Sequence, residues 1–275
     1  MTAPFALVAF DIDGTLLDSG KRPLPGTLRA FEAMRAAGTR IMLASGRPIP
    51  GLHALADRLG LGDDLIFAGL NGSVVVDQAT GETLAEHPLE TGLAASLIRA
   101  GRDHGVTLML PHRAELVVES RENPQVDHEA RGNDLVVRVV EDLTDPGIDP
   151  TKVLFSAPRP QLEEVEAELR ARYAGQMELA YSSPIYMEAT AAGVDKSTAI
   201  RDFCAAHGIS PEQTAAFGDN GNDVTMLAAA GLGVAMGNGI PEAKAAADVV
   251  TTSHDDEGIA RVLSQHYDFP VELVH

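Results

Sequence analysis

The run Ala6-Leu7-Val8-Ala9-Phe10 is apolar without interruption and ends on Asp11-Ile12-Asp13-Gly14-Thr15. Apolar residues that do not alternate with polar ones read as a strand covered on both faces, the condition of a strand inside a parallel sheet. Two carboxylates one residue apart cannot both follow that strand into a core, because an unpaired buried carboxylate costs several kcal/mol. Asp11 therefore falls where strand gives way to loop, the place where open α/β sheets gather their polar side chains.

The following residues repeat the theme. Leu28, Phe31 and Met34 recur at helical spacing between Pro25 and Gly38, which supply start and stop signals. Ile41-Met42-Leu43-Ala44 is a second apolar run, Leu52, Leu55 and Leu59 mark a helix closed by Gly60, and Leu65-Ile66-Phe67-Ala68 is a third run. This βαβαβ order implies right-handed crossovers, which bring the ends of consecutive strands to one edge of a parallel sheet. From about Val74 the texture changes. Val74-Val75-Val76, Gly81 and Thr83-Leu84-Ala85 predict a hairpin, and residues 92–104 a helix. Short strands over 106–110, 116–119, 135–140 and 153–157, with a charged helix over 161–173, predict a mixed α+β module, and the polar stretch 123–134 reads as a mobile loop. Beyond Ile185-Tyr186-Met187-Glu188 the earlier style returns: a helix over 197–207, a strand over 214–217, a helix over 223–230 and a strand over 233–235. The expected fold is α/β, a Rossmann-like parallel-sheet core over 1–83 and 185–275 with an inserted α+β cap domain over 84–184.

Composition narrows the functions such a chain can serve. At 275 residues, with 45% hydrophobic and 22% charged, it has the make-up of an ordinary globular protein of two modest domains. Aromatics are 4% with no Trp, which leaves little for stacking on nucleic-acid bases. A formal charge of −19 repels nucleic acid and anionic membranes, and a phosphorylated ligand would need a local cation to be accepted. The single Cys204 excludes an intrachain disulfide and, in its helical setting, reads as a small buried hydrophobe. Asp11 and Asp13 interrupt the one segment that resembles a signal sequence, and no run approaches the roughly 18 apolar residues of a membrane span. The expectation is a soluble cytoplasmic protein. The nine histidines show no metal-ligand spacing, and His254-Asp255-Asp256-Glu257 reads as a solvated turn.

Four separated pieces fall at element ends: Asp11 with Asp13, Ser45, Lys196, and Asp219 with Asp223. If they meet at one sheet edge, they suit phosphoryl transfer. Asp11 is the natural nucleophile, being ionised at neutral pH without a base. Asp13, two residues on and so on the same side of an extended strand, is the natural general acid and base. Gly14 permits close backbone approach to phosphate oxygens. The accumulated negative charge calls for Mg²⁺, held by Asp11, the Asp13 carbonyl and Asp219, with Asp223 as a direct or outlying ligand. Taken alone, Asp219–Asp223 reads equally as an acidic turn capping a helix. Lys196 supplies a point cation for the nucleophile and the phosphate, although by itself it would be a surface charge. Ser45 and Gly46 can bind a phosphate oxygen or form an ordinary helix cap, and Arg47 either meets substrate or lies on the surface. Asn71-Gly72 reads as a tight turn joining strands or as a substrate contact through Asn71.

Together these segments resemble the haloacid dehalogenase superfamily of aspartate-nucleophile phosphatases, in its Cof-type sugar-phosphatase branch. Asp11-Ile12-Asp13-Gly14-Thr15 is similar to its first motif, Ser45 to the second, Gly193-Val194-Asp195-Lys196 to the third, and Gly218-Asp219 through Asn222-Asp223 to the fourth. Leu70-Asn71-Gly72-Ser73 and Val234-Ala235-Met236-Gly237-Asn238, followed by Glu242, Lys244 and Ala247-Asp248, are similar to further segments of that branch. The resemblance implies an Mg²⁺-dependent phosphatase with Asp11 as nucleophile, Asp13 as acid and base, Ser45 and Lys196 on phosphate, Asp219 on the metal and Asn222 on phosphate or substrate. The inserted module would be a cap that lends substrate contacts. Ser197 departs from the family, which usually has Gly after the lysine. The expected substrate is a small phosphorylated metabolite, a sugar phosphate or a phosphorylated cofactor. A phosphomutase and a phospho-acceptor signalling domain are the alternatives. A nicotinamide site is opposed by the first βα turn, which lacks Gly-x-Gly-x-x-Gly. His112, Arg113, Arg131 and Tyr181 are candidate substrate contacts in the cap, and oligomeric state is not legible.

Overall fold

The computed structural model describes residues 3–271. In chain order the elements are β1 (Leu7–Phe10), α1 (Pro25–Ala37), β2 (Arg40–Ala44), α2 (Ile49–Leu59), β3 (Ile66–Gly69), β4 (Val74–Asp77), β5 (Glu82–Glu86), α3 (Thr91–Asp103), β6 (Thr107–His112), β7 (Glu115–Val118), α4 (Pro124–Gly132) and β8 (Val136–Val139). They continue with β9 (Lys152–Ser156), α5 (Arg159–Tyr173), β10 (Met177–Ser183), β11 (Tyr186–Ala191), α6 (Lys196–His207), β12 (Thr214–Gly218), α7 (Val224–Ala229), β13 (Leu232–Ala235), α8 (Pro241–Ala246), β14 (Val249–Val250) and α9 (Gly258–Leu263). Contacts divide the chain into two compact units, one of residues 1–45, 55–85 and 195–275, the other of residues 46–54 and 86–194.

The first unit carries a sheet in the order β14-β13-β12-β1-β2-β3-β4-β5. Every residue of β1 is buried, as an uninterrupted apolar strand in the middle of a parallel sheet must be. Alternation then divides its side chains. Leu7 and Ala9 join Met42, Ala44, Ile66 and Ala68 in a cluster with Ile200 and Phe203 of α6 and Met226 and Leu227 of α7. Phe10 meets Phe217 and Phe31, both at ring-centroid distances of 5.1 Å, and Phe31 belongs to α1. β1 lies between β2 and β12, parallel to both, with Phe10 level with Leu43 and Phe217. The chain order runs outward in opposite directions from β1, so Asp11, Ser45 and Asp219 all follow strands at the same edge. β4 pairs antiparallel with β3, closing the parallel portion on that side.

The second unit carries a sheet in the order β10-β11-β9-β6-β7-β8. On one face Leu108, Leu110, Val153, Phe155 and Met187 pack with α3 and α5. On the other, Met109, Leu116, Val118, Leu154 and Tyr186 pack with Val126 and Ala130 of α4. That helix corrects the expectation of a mobile loop over 123–134. Asn123 caps it by accepting a hydrogen bond from the Gln125 N–H at 2.9 Å, Pro124 opens it, and only Val126 and Ala130 are inward, too few for an amphipathic stripe to show in the sequence. β10 is likewise absent from the sequence expectation. β11 pairs with both β10 and β9, so the residues from 185 onward stay in this sheet, and the chain rejoins the first unit at Asp195. Strand pairing, which composition does not register, places that junction. No helix among the described residues is long and apolar enough to cross a membrane.

Gly72 shows how tightly the first unit is built. Its φ is +93°, and a Cβ there would lie 2.2 Å from the Asp195 carbonyl oxygen, just before α6. Replacing Gly72 by Ala is expected to destabilise the protein by about 3 kcal/mol, from positive-φ strain and the clash together. A urea midpoint shift reads this; an unchanged midpoint would contradict it.

Candidate active site

Asp11 is the first residue beyond β1, and its N–H still donates to the Phe217 carbonyl at 2.9 Å, so its backbone is held in the ladder with β12. The chain then turns sharply: Leu16 N–H donates to Asp11 O at 3.2 Å and Leu17 N–H to Ile12 O at 3.0 Å. Gly14 adopts a φ of +90°, and a Cβ at that position would lie 2.6 Å from Asp219 Oδ2. Only glycine lets the turn and the Asp219 carboxylate approach this closely. Thr15 Oγ1 donates to Asp219 Oδ1 at 2.9 Å and completes the contact.

Lys196 is the first residue of α6 and is fully buried. Its backbone is set by Asp195, whose carboxylate accepts from the N–H groups of Ser197 and Thr198 while Thr198 reciprocates on the Asp195 N–H. Ser197 is absorbed into this cap, its hydroxyl donating to Asp195 Oδ1 at 2.5 Å. The Lys196 ammonium donates to Asp11 Oδ1 at 2.5 Å and to Asp223 Oδ1 at 2.6 Å. Asp223, also fully buried, accepts from the N–H groups of Asp219 and Asn220, each at 2.9 Å, through its other oxygen. The segment after β12 is thus folded around one carboxylate.

Charge is not balanced here. Oxygens of Asp11, Asp219 and Asp223 lie within 4.8 Å of one another, opposite a single ammonium. Burial pushes the Asp11 carboxyl up to about 7, and Asp223 and Asp219 add to the rise while Lys196 opposes it. Asp219 is also raised, chiefly by burial, against the hydrogen bond from Thr15. On Lys196 burial works against the charge, but Asp11 and Asp223 outweigh it and hold the ammonium protonated above its usual range. A cluster of hard oxygen donors with surplus negative charge suits a divalent cation. The three aspartates can hold one.

The other expected site residues divide. Ser45, buried at the end of β2, accepts on its carbonyl from the Asn71 N–H at 2.9 Å, and Asn71 Oδ1 accepts from Asn222 Nδ2 at 3.3 Å. Asn71 has a φ of 56° in the turn that joins β3 to antiparallel β4, so it is both a turn residue and a neighbour of Asn222. Gly46 and Arg47 group with the second unit. β1 ends at Phe10, so strand alternation does not govern Asp13. Its exposed carboxylate pairs with Lys21 at 2.7 Å and stands outside the three-aspartate cluster. In the second unit Tyr181 is committed to Glu166 at 2.8 Å, and Arg131 donates to the Asp127 carbonyl at 3.1 Å. His112 and Arg113 line a cavity of about 820 Å³ with Glu115 and Asp149.

Some participants carry no role in the sequence reading. Asn238 Nδ2 donates to the Gly14 carbonyl at 2.8 Å, while its Oδ1 accepts from the His254 N–H at 3.0 Å. Asp255 accepts from both the N–H and the hydroxyl of Ser19 at 2.7 Å. The 254–257 run is therefore a clasp on the loop after β1. Its last residue corrects the solvated-turn expectation: Glu257 is buried and accepts from the Gly26 N–H at 2.8 Å, capping α1 from the far end of the chain. The signal for Asn238 lay in the segment Val234–Asn238; for Glu257 there was none, because its partner is 231 residues away.

A parallel sheet whose central strand ends on a buried, lysine-paired aspartate, with further aspartates beside it, is an arrangement suited to phosphoryl transfer. The family model for haloacid dehalogenase-like hydrolases matches residues 8–263, and the chain belongs to that family. It is similar to a haloacid dehalogenase-like hydrolase of Bacteroides thetaiotaomicron of known structure, with a TM-score of 0.84 and 30% identity over 95% of this chain and 99% of that one. It is 28% identical over 274 residues to the pyridoxal phosphate phosphatase YbhA of Escherichia coli, covering 94% of this chain and 98% of that protein. A 5-amino-6-(5-phospho-D-ribitylamino)uracil phosphatase, YitU of Bacillus subtilis, is 26% identical over 271 residues, covering 97% and 98% respectively.

Asp223 holds two backbone N–H groups and Lys196 at once. Its replacement by Ala leaves the N–H groups of Asp219 and Asn220 without their acceptor and takes one of two carboxylates from a buried ammonium, and is expected to cost about 2–4 kcal/mol of stability. Chemical denaturation checks this; a loss below about 1 kcal/mol would show that water or rearrangement replaces the carboxylate.

Proposed function

We propose that the protein hydrolyses a small phosphorylated metabolite, a sugar phosphate or a phosphorylated cofactor, in an Mg²⁺-dependent reaction through an aspartyl-phosphate on Asp11. The observation that carries this is the 2.5 Å contact of Lys196 Nζ with Asp11 Oδ1: a buried carboxylate that follows the central strand and has its own cation. The relatives named for pyridoxal phosphate and for a phosphoribitylamino-uracil support a small phosphate monoester as substrate.

Asp11, Asp219 and Asp223, with the Asp13 carbonyl, would hold Mg²⁺, which when bound neutralises charge on the phosphate oxygens. One Asp11 oxygen attacks phosphorus while the bond to the leaving oxygen breaks, and Asp13 gives that oxygen its proton. Asp13 then takes a proton from the water that cleaves the aspartyl-phosphate, releasing inorganic phosphate and restoring Asp11. To do so it must leave Lys21, and a solvent-exposed pair of this kind is worth about 0–1 kcal/mol, so the exchange costs little. Lys196 holds the nucleophile and the transferring oxygens, with Ser45, Gly46, Arg47, Asn71 and Asn222 completing the phosphate and substrate contacts.

Asp11→Asn is expected to lower Mg²⁺-dependent phosphate release by at least about a thousandfold, since an amide neither attacks phosphorus nor carries the charge. Full turnover in this variant would refute the mechanism. Mg²⁺ is expected to raise the melting temperature of the wild-type protein and to raise that of Asp219→Asn much less, read by calorimetry; equal shifts would place the ion elsewhere.

A further inference from the structure

The second unit contains a buried ion pair that its packing does not require. Lys152 of β9 is 1% exposed and Glu188 of β11 is 5% exposed, with Lys152 Nζ 3.0 Å from Glu188 Oε1. Both fall on the α4 face of the sheet, in step with Leu154 and Tyr186. An apolar pair of similar volume would join the two strands at least as well, because desolvating two charges offsets much of their attraction. An apolar pair could not donate a hydrogen bond. Lys152 Nζ does so a second time, to the Gly46 carbonyl at 3.1 Å, across 106 positions of sequence.

The same segment is gripped at a second point. A Cβ on Gly51, in the first turn of α2, would lie 2.7 Å from Asn133 Oδ1 and 3.3 Å from the Asn133 Cα, so α2 approaches the end of α4 backbone to backbone. The Asn133 amide is itself fixed, Nδ2 donating to Glu129 Oε1 at 2.8 Å. Burial raises the Glu129 carboxyl, with Glu188 adding to the rise and the charges of Lys152 and Arg47 opposing it. These contacts account for residues 46–54 grouping with the inserted strands, whereas Ser45, one residue earlier, remains with β2.

We infer that Lys152, locked by Glu188, is a positioning residue that holds the loop at Gly46 and thereby sets the geometry of Arg47. Arg47 is thus aimed by the inserted unit's own buried ion pair. The inference rests on the substrate role proposed above for Arg47, although the tether itself does not.

The test replaces the pair together, so that no lone charge is left buried, in Lys152→Met/Glu188→Gln and, should that double variant fold poorly, in Lys152→Met/Glu188→Leu. Hydrogen exchange is measured on the full-length protein, and turnover with p-nitrophenyl phosphate and Mg²⁺. Amides of residues 46–54 are expected to exchange about tenfold faster, with α3 and α5 unchanged, as follows from losing one charge-assisted hydrogen bond. KM is expected to rise about tenfold with kcat within about threefold, and the same change made on top of Arg47→Ala is expected to raise KM no further. Unchanged exchange in 46–54, or a KM rise that adds in full to that of Arg47→Ala, overturns the inference. If the wild-type protein shows no turnover that Asp11→Asn abolishes, the phosphatase mechanism fails, and exchange alone decides the tether.

Discussion

One buried ammonium organises the first unit. Lys196 lies fully inside the protein and is shared by Asp11 and Asp223, which come from the ends of two adjacent strands. Without it, the carboxylates after β1 and β12 would face each other in a medium of low polarizability, and one would have to take up a proton or leave the interior. With it, the segment after β12 can fold around Asp223, the Gly14 turn can close on Asp219, and both strands can run to the same level at the sheet edge. The strong charges of the site are thus also its structural fasteners.

The arrangement remains short of positive charge. Three carboxylates gather beside one ammonium, which contacts Asp11 and Asp223, and burial raises the proton affinity of Asp11 and Asp219. The phosphate dianion of a substrate would add to the same surplus. An ion of charge two would relieve both at once, which is the physical reason that three aspartates gathered around the end of β1 suit a divalent cation. Asn238 and the 254–257 clasp hold the loop after β1 through the Gly14 carbonyl and through Ser19, and so help to fix its shape.

Much of this is legible in the sequence. β1, β2 and β3 are buried on both faces, and such strands announce themselves as unbroken apolar runs. Lys196 and Asp223 were recognisable because their motifs are short and local. What escaped the sequence has a common cause. α4 buries only Val126 and Ala130 and so has no stripe to detect. β11 belongs to the inserted sheet because of its partners β9 and β10, which its own composition does not name. Glu257 looked like one acid in a solvated run because its partner, the Gly26 N–H, is far away in the chain.

The sequence by itself determined the class of fold, the family and the residues that carry charge to the end of each strand, since these follow from local periodicity and short motifs. Only the tertiary structure decided how those charges are paired: Lys196 between Asp11 and Asp223, Asp13 turned to Lys21, and Gly46 held by Lys152 while Ser45 stays with β2. The physical reason is the range of the interactions. A strand or a helix is specified by neighbours a few residues apart, but a buried ion must be met by opposite charge wherever the fold brings it.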